Sequence, residues 1–258
     1  MKVTVKELGD AADASAAKGT AFRELRILLV AVCILAVVIY LAVGLVVDAL
    51  VPSISYEREA KLFSVVTKHF GEESGPGLER AQSILAELIK DPNVPPLPYR
   101  VVRMRNDAIN AFAFPGGTIG VTEPLLDELT EDIELAFVLG HELGHFRHRD
   151  HLRGIGRAVG VGLAYAVLFG GQMGNESMGT LLNLVLQRGY SRHQEELADR
   201  FGVDLVHRIY GRTDGVDRLF RIIEEKDKAP SWAYMFATHP QPEARIRELK
   251  RYAGQHDP

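Results

Sequence analysis

The chain is poor in cysteine, and it has neither a long block of one charge nor an internal repeat. Its single cysteine, Cys33, excludes an intramolecular disulfide, so cysteine usage does not identify the redox compartment. The formal net charge is -4, and no lysine–arginine block is long enough to follow a phosphate backbone, which argues against a nucleic-acid partner. The 258 residues fit an N-terminal tether plus one globular domain, or two small domains.

One long apolar run lies near the N-terminus. From Ile27 to Val47 no side chain is charged, and Arg26 and Asp48 bound the run. A helix of this length rises about 30 Å, which is enough to cross the hydrocarbon core of a bilayer. A buried core helix is the alternative, but such a helix usually retains a polar face. We therefore predict a transmembrane anchor over 27–47, preceded by a flexible tail over 1–26.

The flanks of this run predict its orientation. A cleaved signal peptide ending near Asp48 is the alternative to an anchor, but the run exceeds the usual apolar length of about 7–15 residues. Lys18, Arg23 and Arg26 precede the run, whereas Asp48 and Glu57 follow it. The positive-inside rule then predicts a single-pass protein with a cytoplasmic tail and its remaining domain on the extracytoplasmic, periplasmic side.

After the anchor, the pattern predicts an α+β domain that is mainly helical. A glycine-rich apolar stretch over 158–174 is short for a membrane span and favours a buried or mobile hairpin, with a membrane-dipping element as the alternative. Thr130 is the expected N-cap of the helix predicted at 131–149. Strands are predicted at 99–104, 109–114 and 118–122, and helices at 55–70, 77–90, 125–129, 131–149, 178–188, 191–210, 213–227 and 241–253.

The string His141-Glu142-Leu143-Gly144-His145 carries the most informative chemistry. On a helix, two histidines four positions apart face the same way, so both imidazoles can bind one metal ion. Zinc suits them because it accepts nitrogen ligands in a tetrahedral site. Glu142 is offset by about 100°, so it can take a proton from a metal-activated water without binding the metal. Apolar residues at core spacing precede the string and argue against a merely solvated helix face.

A zinc site needs at least a third protein ligand, and the predicted helix at 191–210 can supply it. The candidates are His193, Glu195, Glu196 and Asp199. Two histidines and a glutamate, with a fourth position open to water, form a hydrolytic arrangement. The residue types alone do not choose among these four, because each is also an ordinary solvated helix charge.

Four spaced blocks resemble the HtpX and CAAX-prenyl-protease family of membrane-associated gluzincin metallopeptidases, and most closely its bacterial HtpX-like members. The resemblance covers about residues 78–250 and implies a zincin-like metallopeptidase domain over 55–253, helical with a small sheet. The order of the blocks is more specific than any one of them. They are Asn110–Gly117, Glu134–Ala136 with His141–His145, Ser191–Arg192 with Glu195 and Ala198–Asp199, and Thr238–Pro240 with Arg245.

The resemblance also implies roles for single residues. The zinc ion, one per chain, would be bound by His141, His145 and Glu195, with Glu142 as general base. His239 would stabilise the oxyanion, Asp199 would orient one of the two histidines, and Arg245 would form ion pairs near the site. An extended substrate would pair with an edge strand that contains Asn110, Ala111, Phe112 and Ala113, although an ordinary sheet strand is the alternative.

The chain departs from HtpX in its membrane segments, because only 27–47 is long enough to span. The multi-span prenyl-protease architecture is absent, which argues against prenyl-protein substrates. The resemblance thus implies a membrane-anchored zinc endopeptidase that cleaves unfolded, damaged or membrane-associated polypeptides. Two alternatives stay open: a tethered zinc protein that binds polypeptides without cutting them, and a protease that processes one partner. The oligomeric state does not follow from the sequence.

Overall fold

The computed structural model divides the chain into two compact units, Met1–Val46 and Val47–Pro258. The structure describes residues 18–67, 71, 74, 75, 77–170, 189–218, 221, 239 and 243–256. The first 17 residues of the predicted tail lie outside these ranges, as do the helix predicted at 178–188 and most of that predicted at 213–227.

Helix α1, Lys18–Leu50, contains the predicted anchor. It is the one helix in the described part of the chain that is long and apolar enough to cross a membrane, and its most apolar window is only 6% buried. The helix begins at Lys18 rather than Ile27, so residues 18–26 are helical where a flexible tail was expected. Alanine, arginine, glutamate and leucine in that stretch all favour a helix, which explains the earlier start.

The remaining helices largely follow the predicted periodicity. Helix α5, Asp132–His148, begins with a reciprocal cap in which Glu134 accepts a hydrogen bond from the amide of Glu131 at 3.1 Å, so Glu131 rather than Thr130 is the N-cap. A short 3-10 turn, Val51–Ser53, follows α1. The other helices are α2, Tyr56–Thr67; α3, Leu78–Leu88; α4, Glu123–Glu128; α5, Asp132–His148; α6, Asp150–Phe169; α7, Arg192–Tyr210; and α8, Glu243–Ala253.

Three strands form one small mixed sheet. They are β1, Arg100–Met104; β2, Ala111–Phe114; and β3, Thr118–Thr122, in the order β1–β3–β2. The central β3 is parallel to β1 and antiparallel to β2. Gly116 and Gly117 form the β2–β3 turn with φ of 84° and 92°, values that L side chains rarely adopt. Among the described residues, β2 is therefore an edge strand.

Helix α5 lies in the middle of the hydrophobic core. Every residue from Ile133 to Phe146 is buried, and the helix packs against α3, β2 and α7. The core includes Leu88 of α3, Ile119 of β3 and Val203 of α7. The histidine-bearing string therefore lies inside the domain rather than on a solvated face.

Helix α6 replaces the hairpin that was predicted over 158–174, at least as far as Phe169. Its glycines do not break it, and one of them makes a close contact: a Cβ on Gly156 would lie 2.9 Å from Cγ1 of Val47. The second half of α6 continues as a helix to Phe169 and does not fold back. It is not buried either, because large apolar side chains there are exposed, including Leu163 and Val167. Residues 171–174 lie outside the described ranges.

Candidate metal centre and active site

Two helices bring together three side chains that could bind a metal ion. On α5, His141 and His145 lie one turn apart with their Nε2 atoms 3.1 Å from each other. Glu195, in the first turn of α7, places Oε2 3.6 Å from Nε2 of His141 and Oε1 3.6 Å from Nε2 of His145. All three side chains are buried, and of the four candidates on this helix Glu195 is the one that joins the histidine pair in a group that could hold a metal ion.

Small residues explain why α5 and α7 approach so closely. A Cβ on Gly144 would lie only 2.8 Å from Cα of Ala198, and one on Gly140 would lie 3.2 Å from Cα of Gly202. Any larger side chain at Gly144 would push the helices apart. The glycine between the two histidines therefore has a structural purpose, since it allows Glu195 to reach both imidazoles.

The donor set fits a zinc ion. Ligand atoms of His141, His145, Glu195 and His239 all lie within 4.8 Å of one another. Burial lowers the pKa of His145, which favours the neutral imidazole that binds metals. Burial raises the pKa of Glu195, but His239, Arg245 and His141 outweigh this and bring it to about 2, so the carboxylate is ionised. Two imidazole nitrogens and one carboxylate oxygen form a recognised catalytic zinc set.

One of the two histidines is oriented by an aspartate and an arginine. Nδ1 of His141 lies 2.9 Å from Oδ1 of Asp199, which leaves Nε2 to face the other ligands. Arg245 of α8 donates two hydrogen bonds to Asp199, at 2.6 and 2.7 Å, and also contacts Glu195. Burial raises the pKa of Asp199, but Arg245 and His141 lower it by more, so that the pKa lies well below the ordinary range. Asp199 is thus held between the imidazole of His141 and the guanidinium of Arg245.

The other histidine has a partner that the sequence did not reveal. Nδ1 of His145 lies 3.0 Å from Oδ2 of Asp150, and Gln194 donates a hydrogen bond to Oδ1 of the same aspartate at 2.8 Å. Asp150 begins α6 directly after Arg149, where the chain turns in a left-handed conformation with φ of 56°. Only this change of direction brings Asp150 back to His145. The only sequence signal for this contact was that Asp150 follows His145 by five residues.

Glu142 and His239 face each other beside the ligand group. Nε2 of His239 lies 3.6 Å from Oε1 of Glu142, and Nδ1 lies 3.0 Å from Oε1 of Glu195 and 3.3 Å from Nε2 of His141. Oε2 of Glu142 is buried without a hydrogen-bond partner among the described residues. His239 therefore lies within the same buried group as His141 and Glu195.

The remaining predicted residues occupy distinct places. His193 and Glu196 are exposed, outside the ligand group. Asn110 directly precedes β2, in which Ala111 and Ala113 are buried and Phe112 is half-buried. Because β2 packs against α5, this edge strand runs beside the helix that carries both histidines.

His151 follows His145 by six residues, but among the described residues it does not belong to the group that could hold a metal ion. It is buried, and its Nε2 lies 2.8 Å from Oε1 of Glu59 on α2. His148 is only half-buried and belongs to no ligand group among the described residues. No local pattern could have revealed the His151 partner, because 92 positions separate the two residues.

Comparisons with known proteins agree with this geometry. Residues 78–253 match peptidase family M48. The chain is 31% identical over 211 residues to a protease HtpX homolog of Syntrophobacter fumaroxidans, covering 65% of this chain and 74% of that protein. It is 28% identical over 181 residues to the metalloprotease LoiP of Escherichia coli, covering 67% and 69%. A putative beta-barrel assembly-enhancing protease of Vibrio cholerae is 27% identical over 183 residues, covering 66% of this chain but only 38% of that longer relative.

Proposed function

This chain belongs to peptidase family M48, and on that premise we propose that it is a membrane-anchored zinc endopeptidase that cleaves unfolded, damaged or membrane-associated polypeptides. The family and its protease-named relatives make residues 78–253 an HtpX-like metallopeptidase domain. One observation carries the finer proposal: His141, His145 and Glu195 converge in a buried group with the Glu142 carboxylate beside it.

His141, His145 and Glu195 would hold the zinc ion, of which each chain binds one. When bound, zinc polarises the scissile carbonyl and makes a water acidic enough to lose a proton near neutral pH. Asp199 and Asp150 hold the imidazoles by their Nδ1 atoms, so that both Nε2 atoms would face a bound ion.

Glu142 would carry the proton. Its Oε2 lacks a hydrogen-bond partner among the described residues, so it can accept the proton of the attacking water. The same carboxyl group would then deliver that proton to the nitrogen of the leaving amine. His239, 3.6 Å from Glu142, would donate a hydrogen bond to the oxygen that becomes negatively charged during attack.

The edge strand would bind the substrate. In the described part of the chain β2 pairs only with β3, so an extended polypeptide can add to its other side. We assign Asn110, Ala111, Phe112 and Ala113 to this contact. Backbone hydrogen bonds place few demands on side chains, which suits a protease that degrades unfolded proteins of varied sequence.

The anchor would place this chemistry at a membrane surface. We assign 1–26 to a cytoplasmic tail, 27–47 to the anchor and 55–253 to the peptidase domain. Because basic residues precede the apolar run and acidic residues follow it, the peptidase domain would lie on the periplasmic side.

Casein degradation by the full-length, zinc-loaded protein tests the proposal. Glu142→Gln should lower the rate by about 10²–10⁴-fold, the usual contribution of a general base, while the bound zinc measured by atomic absorption stays near one per chain. Glu195→Ala should lose zinc as well as activity. Glu196→Gln, on the exposed face of the same helix, is the matched control and should retain both. Equal casein degradation by wild type and Glu142→Gln would instead favour a zinc protein that binds polypeptides without cutting them.

A further inference from the structure

A second polar site lies where the chain leaves its apolar run. It is a cleft of about 890 Å³, formed by the end of α1, the turn after it, the junction of α5 and α6, and the start of α7. We call it the basic cleft, because arginines outnumber carboxylates along its wall. The arginines are Arg147, Arg149, Arg153 and Arg157, and the carboxylates are Asp48 and Asp150.

Two buried arginine nitrogens in the basic cleft form no hydrogen bond with a described residue. Nε of Arg157 and Nη1 of Arg149 are buried without a hydrogen-bond partner, and Arg147 forms no ion pair with another described residue. Asp48 accepts two hydrogen bonds from Arg157, at 3.0 and 2.9 Å, and lies 3.3 Å from Nε of Arg153. Asp150 is already engaged by His145 and Gln194. Buried donors without partners are costly, so the cleft is suited to an anion that brings several oxygens.

Arg149 occupies an unfavourable backbone conformation. It is the only non-glycine residue of the described chain with a positive φ, a conformation for which glycine or asparagine is the less strained choice. Its guanidinium lies 4.0 Å from the centre of the Tyr56 ring, and Nη1 is 3.8 Å from Oε2 of Glu59. These contacts hold the guanidinium at the wall of the cleft, which explains why an arginine occupies this strained backbone position.

The position of the basic cleft along the chain indicates where the anion comes from. Asp48 directly follows the apolar run, so a chain that spans the bilayer over 27–47 brings the cleft to the level of the lipid headgroups. Helix α6 starts in the cleft and then becomes apolar and exposed, which is typical of an element that lies in the membrane interface. The exposed side chains are Val161, Leu163, Tyr165, Val167 and Leu168. A free phosphate ion would make no use of this apolar half.

We propose that the basic cleft binds the phosphate of an anionic lipid headgroup, such as that of phosphatidylglycerol. Arg147, Arg149 and Arg157 donate hydrogen bonds to the phosphate oxygens. The apolar half of α6 contacts the acyl chains of the same leaflet. Bound lipid then fixes the junction of α5 and α6, which also carries the Asp150 that orients His145.

Calorimetric titration of the full-length protein in non-ionic detergent tests this proposal. The protein carries Glu142→Gln, so that lipid binding is measured independently of peptidase activity. The probes are short-chain phosphatidylglycerol, short-chain phosphatidylcholine, inorganic phosphate and an acidic peptide. We expect phosphatidylglycerol to bind most tightly, and Arg147→Gln or Arg157→Gln to weaken its binding by about tenfold, the value of a charge-assisted hydrogen bond. Arg247→Gln, an exposed arginine on α8, is the matched control and should bind as the parent does.

Four results would overturn the proposal. Equal binding of phosphatidylcholine would remove the phosphate specificity, and equal binding of inorganic phosphate would reduce the site to a free-anion site. Displacement by the acidic peptide with the affinity of the lipid would make the cleft a polypeptide site. Unchanged lipid binding in both arginine variants would show that the lipid binds outside the basic cleft. Because Arg147 is exposed and forms no ion pair with a described residue, its variant keeps the test decisive even if Arg157→Gln misfolds.

Discussion

Two buried clusters of this protein use the same residue types for different ends. The metal centre combines histidines and carboxylates with Arg245. The second cluster, which we call the Glu59 cluster, combines Glu59 with His151, Arg149 and the backbone amide of Gly116. In the metal centre each imidazole on α5 binds an aspartate through Nδ1, and both Nε2 atoms face one point. In the Glu59 cluster a single imidazole directs its Nε2 at the carboxylate itself.

The difference lies in which atoms remain available. A metal site needs several lone pairs that converge and are not already used, whereas a structural ion pair uses them up. Oε1 of Glu59 accepts hydrogen bonds from His151 at 2.8 Å and from the Gly116 amide at 3.1 Å. The Glu59 cluster therefore ties α2 to the β2–β3 turn and to α6, and among the described residues it is not part of a group that could hold a metal ion.

The largest contrast should come from the aspartates that orient the two ligand histidines. Asp199→Asn and Asp150→Asn should each lower the zinc affinity by about 10–100-fold, because each loses the anion that fixes an imidazole and raises its basicity. Competition with a chromophoric chelator measures this, with Asp127→Asn, at an exposed position on α4, as the matched control. Wild-type zinc affinity in Asp150→Asn would show that its contact with His145 does not support metal binding.

The opposite result is expected when the Glu59 cluster is altered. Glu59→Gln should lower the free energy of unfolding by about 1–3 kcal/mol, because Arg149 and His151 lose the buried anion between them. Zinc affinity should stay at the wild-type value. Denaturant unfolding in detergent and the same chelator competition measure the two quantities, and Glu57→Gln, exposed on α2, is the control. A large loss of zinc affinity would mean that the two clusters are not separate in function.

The smallest effect concerns pH. Burial raises the pKa of Glu59, but His151, the Gly116 amide and Arg149 outweigh it, so the pKa lies below its ordinary value of 4.5. A carboxyl group of this kind stabilises the fold fully above pH 4.5 and loses that contribution as the pH falls through its folded pKa. The stability difference between wild type and Glu59→Gln should therefore shrink below about pH 4.5. A difference that stays constant as the solution is acidified would assign it to packing rather than to charge.

Local pattern sufficed for much of the fold. The periodicity of apolar residues placed α3, α5 and α7 and the three strands within a few residues of their observed bounds, because helix and strand periods are local properties. The same kind of pattern gives the wrong structure at α6, where the glycine-rich stretch predicts a hairpin and the chain forms a helix. There Gly156 packs closely against Val47, and no local rule predicts that contact over such a separation.

The candidate site, like the fold, was predicted only in part from the local sequence pattern. The spacing of His141, Glu142 and His145 predicted a metal site, because four residues are about one helical turn, and the resemblance proposed Glu195 as a further ligand. The group that the structure assembles contains His141, His145 and Glu195 together with His239, and Glu142 lies beside it. The sequence did not reveal Asp150, because its contact with His145 depends on the left-handed turn at Arg149.

The sequence by itself determined that the chain carries a long apolar helix, a mainly helical domain and a histidine pair one helical turn apart. These properties depend on residue type and short spacing, which a linear string records directly. Only the tertiary structure decided which carboxylate orients each histidine, that His151 is bound to Glu59, and that four arginines line one cleft next to Asp48. Such contacts join residues far apart in the chain, and they exist only where packing of the core brings separate helices to the same place.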